Sequence, residues 1–451
     1  MRLTDLNAPG GIGANCLLLQ LGKANIVIDA GLHPKMAGYE ALPRLERIRD
    51  LPIDLIIVTH CHLDHLGALP VLARDHPDTP IILSRDSQYL YKRLLQNSCQ
   101  VMERQRAEGL AGAIPLYGFA DITQCARQVV PVVPGNPRLF ETTSGERFSF
   151  TLFPSGHIPG AVGLLLEYRQ RRIFHTGDVS FADTPMLDGA RFPPAKVDTL
   201  ILETTRGTTE RGPGTNRESE SRRLLQYLRR TLKGGGSVLI PVFALGRMQE
   251  LLTMLRHASA GKMLPDCPVY VSGLGLDLLN GFERIAKDNR ALRVRRRFLR
   301  ELGARKLPEG HRPGSEGPAI YLLSSGMLIA NTPSYKAAAA LLRSRENTIC
   351  FVGYCDPDTP GGKLLAAEPE STFLFEARDQ QVPVRAAIER FDLSSHADRE
   401  ELRDFALACE PRVVVLSHGD PEARAWFRGE LEGPLGKDAV LDPPPLRTVE
   451  V

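Results

Sequence analysis

The stretch Thr59-His60-Cys61-His62-Leu63-Asp64-His65 constrains this chain more than any other. It sets three imidazoles and a carboxylate within six residues, directly behind the apolar run Asp54-Leu55-Ile56-Ile57-Val58. Groups this dense are hard to explain as packing, because each one taken out of water needs a partner of its own. Imidazole nitrogens and carboxylate oxygens are ligands for divalent metals, and an extended loop turns His60 and His62 toward one ion while Asp64 and His65 face a neighbour. A polar loop with satisfied histidines would need no companions elsewhere. The metal reading predicts further ligands.

Four other runs supply them: Asn25-Ile26-Val27-Ile28-Asp29, Arg172-Ile173-Phe174-His175-Thr176-Gly177-Asp178, Asp198-Thr199-Leu200-Ile201-Leu202-Glu203 and Arg412-Val413-Val414-Val415-Leu416-Ser417-His418. Each is an apolar strand ending in an acid or a histidine, and the carboxyl ends of strands in open α/β sheets share one rim where ligands bind. His157, in the tight loop Pro154-Ser155-Gly156-His157-Ile158-Pro159-Gly160, can fold over that rim. Together these residues suffice for two metals.

The surrounding texture is α/β. Strands are expected at 14–20, 25–29 and 54–59, and a hairpin at 164–168 and 172–176. Several are too apolar to have one wet face, which predicts a buried sheet. A helix over 87–106 sets Leu90, Leu94 and Leu95 near one face. From about residue 210 the pattern becomes strand and helix in alternation, with helices at 218–232 and 245–257 and strands at 237–242, 268–271, 319–323 and 348–352. That is a second α/β unit with a mainly parallel sheet. After Pro383 the first texture returns, with a helix at 398–408, a strand at 412–416 and a helix from Pro421. One α/β domain inserted into another fits this order.

These motifs resemble the metallo-β-lactamase fold, whose two-histidine, aspartate and histidine motif is matched by His60, His62, Asp64 and His65. Glu203-Thr204-Thr205-Arg206-Gly207, Ser394-Ser395-His396-Ala397-Asp398 and Ser417-His418-Gly419 look like three further motifs of its β-CASP subfamily, the nucleases that include RNase J and the cleavage and polyadenylation endonuclease. Pro241-Val242-Phe243-Ala244-Leu245-Gly246-Arg247 with Gln249-Glu250-Leu251-Leu252, and Ser324-Ser325-Gly326-Met327-Leu328, are similar to stretches of that family's inserted domain.

The resemblance implies an αββα sandwich at residues 1–207 and 386–451, interrupted by a β-CASP domain at 208–385. It implies two Zn2+, with Mn2+ as a substitute: His60, His62 and His157 on one ion, Asp64, His65 and His418 on the other, and Asp178 bridging them. Asp29 would orient a ligand or the nucleophile. Such a pair generates hydroxide near neutral pH and stabilises charge on a phosphodiester. His396 would be the general acid, with Glu203 fixing its tautomer and keeping it protonated. The implied reaction is endo- or 5′-exonucleolytic hydrolysis of single-stranded RNA threaded between the two domains, leaving a 5′-phosphate and a 3′-hydroxyl. A histidine at the last motif accompanies RNA-processing members, so His418 favours RNA over DNA. Arg247 and the hydroxyls of Ser324 and Ser325 are expected to contact substrate phosphates.

Composition narrows the partners. Across 451 residues, 56 Lys+Arg against 53 Asp+Glu leave a net charge of +3, so an anionic partner must be held locally. The run Arg293, Arg295, Arg296, Arg297 and Arg300 reads first as a solvated helix face. No apolar stretch approaches the ~18–20 residues a membrane span needs, and no signal-like run opens the chain, so a cytoplasmic protein without a membrane partner is expected. The eight scattered cysteines form no Cys-x-x-Cys pair and read as free, mostly buried thiols. Gly273-Leu274-Gly275 lacks the third glycine of a dinucleotide fingerprint and no Walker loop occurs, so no nucleotide cofactor is expected. A homodimer is left open.

Two departures from the family pattern bear on substrate preference: Arg206 stands where a tyrosine is common, and the stretch from Gly353 to Lys363 has an acidic middle with Asp356 and Asp358. Two other functions compete. A small-molecule metallo-hydrolase of lactonase or thioesterase type would use the same metals, but leaves the insertion and the His396 and Glu203 pair unexplained. A non-catalytic RNA-binding scaffold would be marked by lost ligands, and none is lost.

Overall fold

The strands that end in candidate ligands lie in two seven-stranded sheets, described from a computed structural model in which every residue except 194, 195 and 296 is described. They belong to a unit formed by Met1–Asp183, Asp188–Glu210 and His396–Val451. The first sheet runs Thr448–Glu450, Arg2–Asp5, Leu17–Leu21, Ala24–Ile28, Leu55–Ile57, Ile81–Ser84, Val129–Val132, and the strands from Ala24–Ile28 onward are parallel. The second runs Val440–Leu441, Val413–Ser417, Thr199–Glu203, Arg171–His175, Val162–Tyr168, Arg147–Pro154, Arg138–Glu141. Its first four strands are parallel and the rest form antiparallel hairpins.

Alternate residues of the first sheet, Ile26 with Ile28 and Leu55 with Ile57, share one core with Phe150, Leu164, Ile173, Ile201 and Val415 of the second. The residues between them face outward and are buried as well. Phe174, Leu200, Leu202, Val414 and Leu416 pack against Leu402 and Ala406 of helix Arg399–Ala408 and Phe427 and Leu431 of helix Pro421–Leu435. Both faces of these strands are therefore dry, which is why their sequences show no polar alternation.

The second unit comprises Thr184–Leu187 and Arg211–Ser395. Its six-stranded sheet runs Ala304–Lys306, Val269–Val271, Ile320–Leu323, Val238–Pro241, Thr348–Phe351, Ala387–Arg390, all parallel. Helix Arg217–Lys233 starts where the Asn216 side chain accepts from the Ser219 N–H (2.8 Å). It carries Glu218 and Glu220 in its first turn and Arg230 and Lys233 in its last, matching the helix dipole, and buries Leu224, Leu228 and Leu232. The inserted texture extends past residue 385, because Ala387–Arg390 pairs in register with Thr348–Phe351 and so belongs to this sheet.

Other elements differ locally from their sequence patterns. Residues 87–106 split into a 3-10 turn, Ser87–Tyr89, and helix Tyr91–Ala107, with Leu90, Leu94 and Leu95 buried as the periodicity requires. The basic run is a short helix, Arg297–Glu301, followed by strand Ala304–Lys306. Arg293 donates to the Thr184 carbonyl (2.8 Å) and Arg295 to that of Leu292 (2.7 Å), while Arg296 lies outside the described residues. All eight cysteines are free thiols and seven are buried. Among the described residues no helix is long and apolar enough to cross a membrane.

Candidate active site

The carboxyl ends of strands from both sheets of the first unit deliver the site. Strand Leu55–Ile57 leads through Val58 and Thr59 to His60, and His62 opens the short helix Leu63–Leu66 that carries Asp64 and His65. Strand Arg171–His175 leads to Asp178, Thr199–Glu203 ends in Glu203, and Val413–Ser417 runs into His418, with Glu203 directly opposite Ser417 in the parallel register. His157 arrives on the loop after Arg147–Pro154. That loop needs Gly156, whose φ is +73° and where a Cβ would come within 2.4 Å of the Ser180 carbonyl. Asp29 and His418 themselves hold positive φ, 63° and 47°, a strained conformation that clusters at functional sites.

The imidazole nitrogens converge in two groups. His60 Nε2 and His157 Nε2 lie 3.2 and 3.1 Å from His62 Nδ1. His65 Nε2 lies 3.3 Å from His418 Nε2, with Asp64 Oδ2 3.7 and 3.5 Å from the two. Asp178 serves both groups: Oδ2 is 3.5 Å from His60 Nε2 and 3.6 Å from His157 Nε2, and Oδ1 is 3.4 Å from His65 Nε2 and 3.2 Å from His418 Nδ1.

Hydrogen bonds behind the rings fix which nitrogen faces inward. Asp29 accepts the Thr59 N–H at Oδ1 (2.7 Å) and, at Oδ2, the Thr59 hydroxyl (2.8 Å) and the His65 Nδ1–H (2.7 Å). The Thr59 oxygen, its own proton given to Asp29, accepts from His60 Nδ1–H (3.2 Å). Thr205 donates to Glu203 Oε2 (2.5 Å) and so accepts from His418 Nδ1–H (2.9 Å). In each of the three rings an oxygen of the protein holds Nδ1, as at metal-binding histidines, and leaves Nε2 to the site.

This donor set fits divalent cations. His60, His62, His157 and Asp178 form one group whose ligand atoms lie within 4.8 Å of one another, and Asp64, His65 and His418 form another. Asp178 Oδ1 is buried yet has no hydrogen-bond partner among the described residues. A buried carboxylate oxygen with imidazole nitrogens 3.2 and 3.4 Å away suits a cation held between them. The electrostatics pull neighbouring groups apart. Burial holds His60 well below the usual imidazole range and lowers His62 too, favouring the neutral ligand form. Burial also opposes charge on His65, but Asp178, Asp29 and Asp64 outweigh it and raise its pKa well above that range. Burial alone would raise Asp178 and Asp64, yet the surrounding imidazoles hold both carboxylates below their usual range.

His396 lies beside the first group, its ring 4.5 Å from that of His157. Its Nδ1 donates to Glu203 Oε2 (3.0 Å), while Glu203 Oε1 accepts the Val179 N–H (2.6 Å). Burial disfavours the imidazolium, but Glu203 outweighs it and raises the His396 pKa. With Nδ1 committed to Glu203, the proton available to a reacting group is the one on Nε2.

The three residues expected to meet phosphates lie in the second unit and are engaged there. Arg247, first residue of helix Arg247–Ala260, is buried, donates to Glu250 Oε2 (2.5 Å) and reaches Ser395 Oγ (3.3 Å). Ser324 Oγ pairs with Ser272 Oγ (2.9 Å), and Ser325 Oγ accepts the Ile329 N–H (2.8 Å). The Arg247 guanidinium is turned onto an internal carboxylate, because helix geometry sets Glu250 one turn away. Asp356, from the acidic stretch, accepts the Asp358 N–H in a turn (2.9 Å).

Thr59, Thr205 and Asn15 act in the site without having been singled out in the sequence. Asn15 Nδ2 donates to the Asp64 carbonyl (3.0 Å) and lies 3.2 Å from His65 Nε2. For the two threonines a signal exists, since each sits one or two residues from a motif histidine or glutamate. Asn15, 49 residues from Asp64, has none. His175 ends its strand like the ligands, but its Nδ1 accepts the Gly177 N–H (2.9 Å), and burial pushes its pKa down to about 4.

Three family models match the chain: the Metallo-beta-lactamase superfamily over residues 9–230, the Beta-Casp domain over 248–364, and the Zn-dependent metallo-hydrolase RNA specificity domain over 381–443. The chain is 27% identical over 420 residues to the probable RNase MJ4 of Methanocaldococcus jannaschii, covering 91% of each. It is 27% identical over 454 residues to cleavage and polyadenylation specificity factor subunit 3 of Dictyostelium discoideum, covering 98% of this chain and 56% of that one. To transcription termination factor FttA of Pyrococcus abyssi it is 29% identical over 454 residues, covering 94% and 67%. The chain thus spans little more than half the length of the Dictyostelium relative. A solved structure, a protein of unknown function from Enterococcus faecalis V583, shares the fold with a TM-score of 0.57 at 14% identity, covering 99% of each chain.

Proposed function

We propose, from the premise that this chain belongs to the metallo-β-lactamase superfamily and carries its Beta-Casp domain, that it is a metal-dependent ribonuclease that hydrolyses phosphodiester bonds of single-stranded RNA at two zinc ions. One observation carries the reading: Asp178 presents one carboxylate oxygen to each of two imidazole groups, and the oxygen facing His65 and His418 is buried without a hydrogen bond among the described residues. The match to an RNA specificity domain and the relatives named as RNases support RNA as the substrate. His60, His62 and His157 would hold one ion, Asp64, His65 and His418 the other, with Asp178 between them. When bound, such ions acidify water and stabilise charge on phosphodiester oxygens.

The chain's own groups account for the rest. Asp29, Thr59 and Thr205 orient imidazoles so that lone pairs point inward. A water oxygen bonds to phosphorus as the bond from phosphorus to the 3′-oxygen breaks. The proton that the water loses passes to solvent, and the departing 3′-oxygen takes one from His396 Nε2, which solvent then replaces. Glu203 holds His396 in the tautomer and charge state that this transfer needs. The products are a 5′-phosphate and a 3′-hydroxyl. His60, His65, His157 and Asp178 are each at most 3% exposed, so a phosphate must enter a recess, which an unpaired backbone does more readily than a duplex.

The test is cleavage of single-stranded RNA and DNA, labelled at either end, by wild type, Asp64→Ala and His396→Ala after metal quantitation. Metal-dependent cleavage of RNA by wild type alone supports the reading, and product lengths distinguish internal from end-first cutting. Equal cleavage by all three proteins removes it, as does ester hydrolysis without RNA cleavage.

A further inference from the structure

The segment that carries His396 is tied down at three consecutive residues, all within the first unit. His396 is held by Glu203 (3.0 Å), the Ala397 N–H donates to the Val179 carbonyl (2.6 Å), and Asp398 forms an ion pair with Arg206 (3.0 Å). The first two ties hang on the rim itself, since Val179 follows Asp178 and donates its own N–H to Glu203. The third is different. Arg206 comes from the turn after strand Thr199–Glu203, where the Gly207 N–H bonds the Thr204 carbonyl and the Thr209 N–H bonds that of Arg206. Its side chain is 7% exposed and that of Asp398 is 18% exposed, so the pair is largely out of water. Asp398 also heads helix Arg399–Ala408, where its N–H is capped by Glu401 Oε2 (2.9 Å). The pair thus locks the start of a helix onto the turn that follows Glu203. His396 lies two residues before that helix start, so the lock limits how far its backbone can move from Glu203. Removing one partner of a buried ion pair leaves the other charge uncompensated, which strains the geometry the pair holds.

We propose that Arg206 is a positioning residue for proton delivery, acting through Asp398 to hold the His396 imidazole against Glu203 and aimed at the leaving oxygen. The inference rests on the ribonuclease reading. It assigns Arg206 no contact with substrate or metal.

Two leaving groups separate positioning from general scaffolding. A nucleoside 3′-oxygen leaves poorly without a proton, whereas p-nitrophenolate leaves without one. Loss of proton delivery therefore slows cleavage of a single-stranded oligoribonucleotide far more than hydrolysis of bis(p-nitrophenyl) phosphate. General-acid groups contribute about 10²–10⁴-fold, so Arg206→Met is expected to lower the kcat ratio, RNA over p-nitrophenyl ester, by about 10-fold or more, with KM for RNA changed by less than about twofold. His396→Ala should move the ratio in the same direction and further, and Arg206→Lys should restore most of it. Asp398→Asn, which keeps a side chain able to cap the helix, should reproduce the Arg206→Met pattern and serves if that variant folds poorly. Equal losses on both substrates, or none, for Arg206→Met and Asp398→Asn would overturn the inference while leaving the nuclease intact. If His396→Ala itself lowers both substrates equally, the assigned general acid is wrong and the inference falls with it, while metal-dependent RNA cleavage by the wild type still supports the ribonuclease.

Discussion

Two rims of parallel strands differ in how their polar groups are settled. At the rim of the second unit, Glu250 lies between the guanidinium groups of Arg217 and Arg247, Ser324 pairs with Ser272, and Ser325 accepts the Ile329 N–H. Burial would raise the Glu250 pKa, but Arg217 and Arg247 outweigh it and hold the carboxylate below its usual range. Positive and negative charge meet within the chain. At the rim of the first unit imidazole nitrogens also face one another, at 3.1 to 3.3 Å, and the bridging carboxylate keeps a buried oxygen without a hydrogen bond among the described residues. Both rims are crowded with polar side chains, so crowding alone does not mark a metal site. Imidazoles turned toward one another around a shared carboxylate do.

The sharpest way to break that contrast is Asp178→Asn. Removing the shared carboxylate is expected to reduce turnover to background and to abolish the rise in Tm that zinc gives the wild type, since a ligand bound only by the folded state stabilises it. Elemental analysis and melting curves check this, and full metal retention would show that the bridge is not needed. In the second unit Glu250→Gln leaves the buried Arg247 and the partly buried Arg217 without this counter-charge and is expected to destabilise by about 3–5 kcal/mol, read in urea, with metal content per folded protein unchanged. Loss of metal there would mean that the two rims are not independent.

Smaller effects sharpen the comparison. Thr205→Val and Asp29→Asn each remove an oxygen that fixes a ring, and each should weaken metal binding by about 10–100-fold without removing a ligand. Competition with a chelator of known affinity measures it. Least in size is a change in the pH profile. Burial disfavours the His396 imidazolium, but Glu203 raises its pKa overall, so the acid form persists to higher pH and turnover falls as pH rises through that value. Glu203→Gln removes the raising charge and should move the fall to lower pH. A fall that stays in place would argue for a different acid.

The sequence made the ligands legible because strand ends are local: an apolar run that stops at Asp178, Glu203 or His418 announces its end without knowledge of the fold. His60 to His65 stood out by density. Residues whose roles depend on what lies across the fold were not legible. Asn15 looks like any loop asparagine until strand pairing brings it to Asp64, and Arg247 looks like an exposed donor until its helix turns Glu250 beneath it. The edge of the insertion was blurred for the same reason. Residues 387–390 are not apolar enough to declare a strand, and only pairing with Thr348–Phe351 assigns them.

One pairing described above bears on how the molecule assembles. Strand Thr199–Glu203 lies beside Val413–Ser417, and the Thr204 hydroxyl bonds the Ser417 carbonyl across a sequence separation of 213. Closing so long a loop from a disordered chain carries an entropy penalty that grows only slowly with length, but it must be met before the contact rewards it. An insertion that folds first fixes the separation of its own ends and removes most of that penalty. On that order the neighbourhood of His418 closes after the insertion, so zinc uptake followed during refolding is expected to trail the recovery of helical signal.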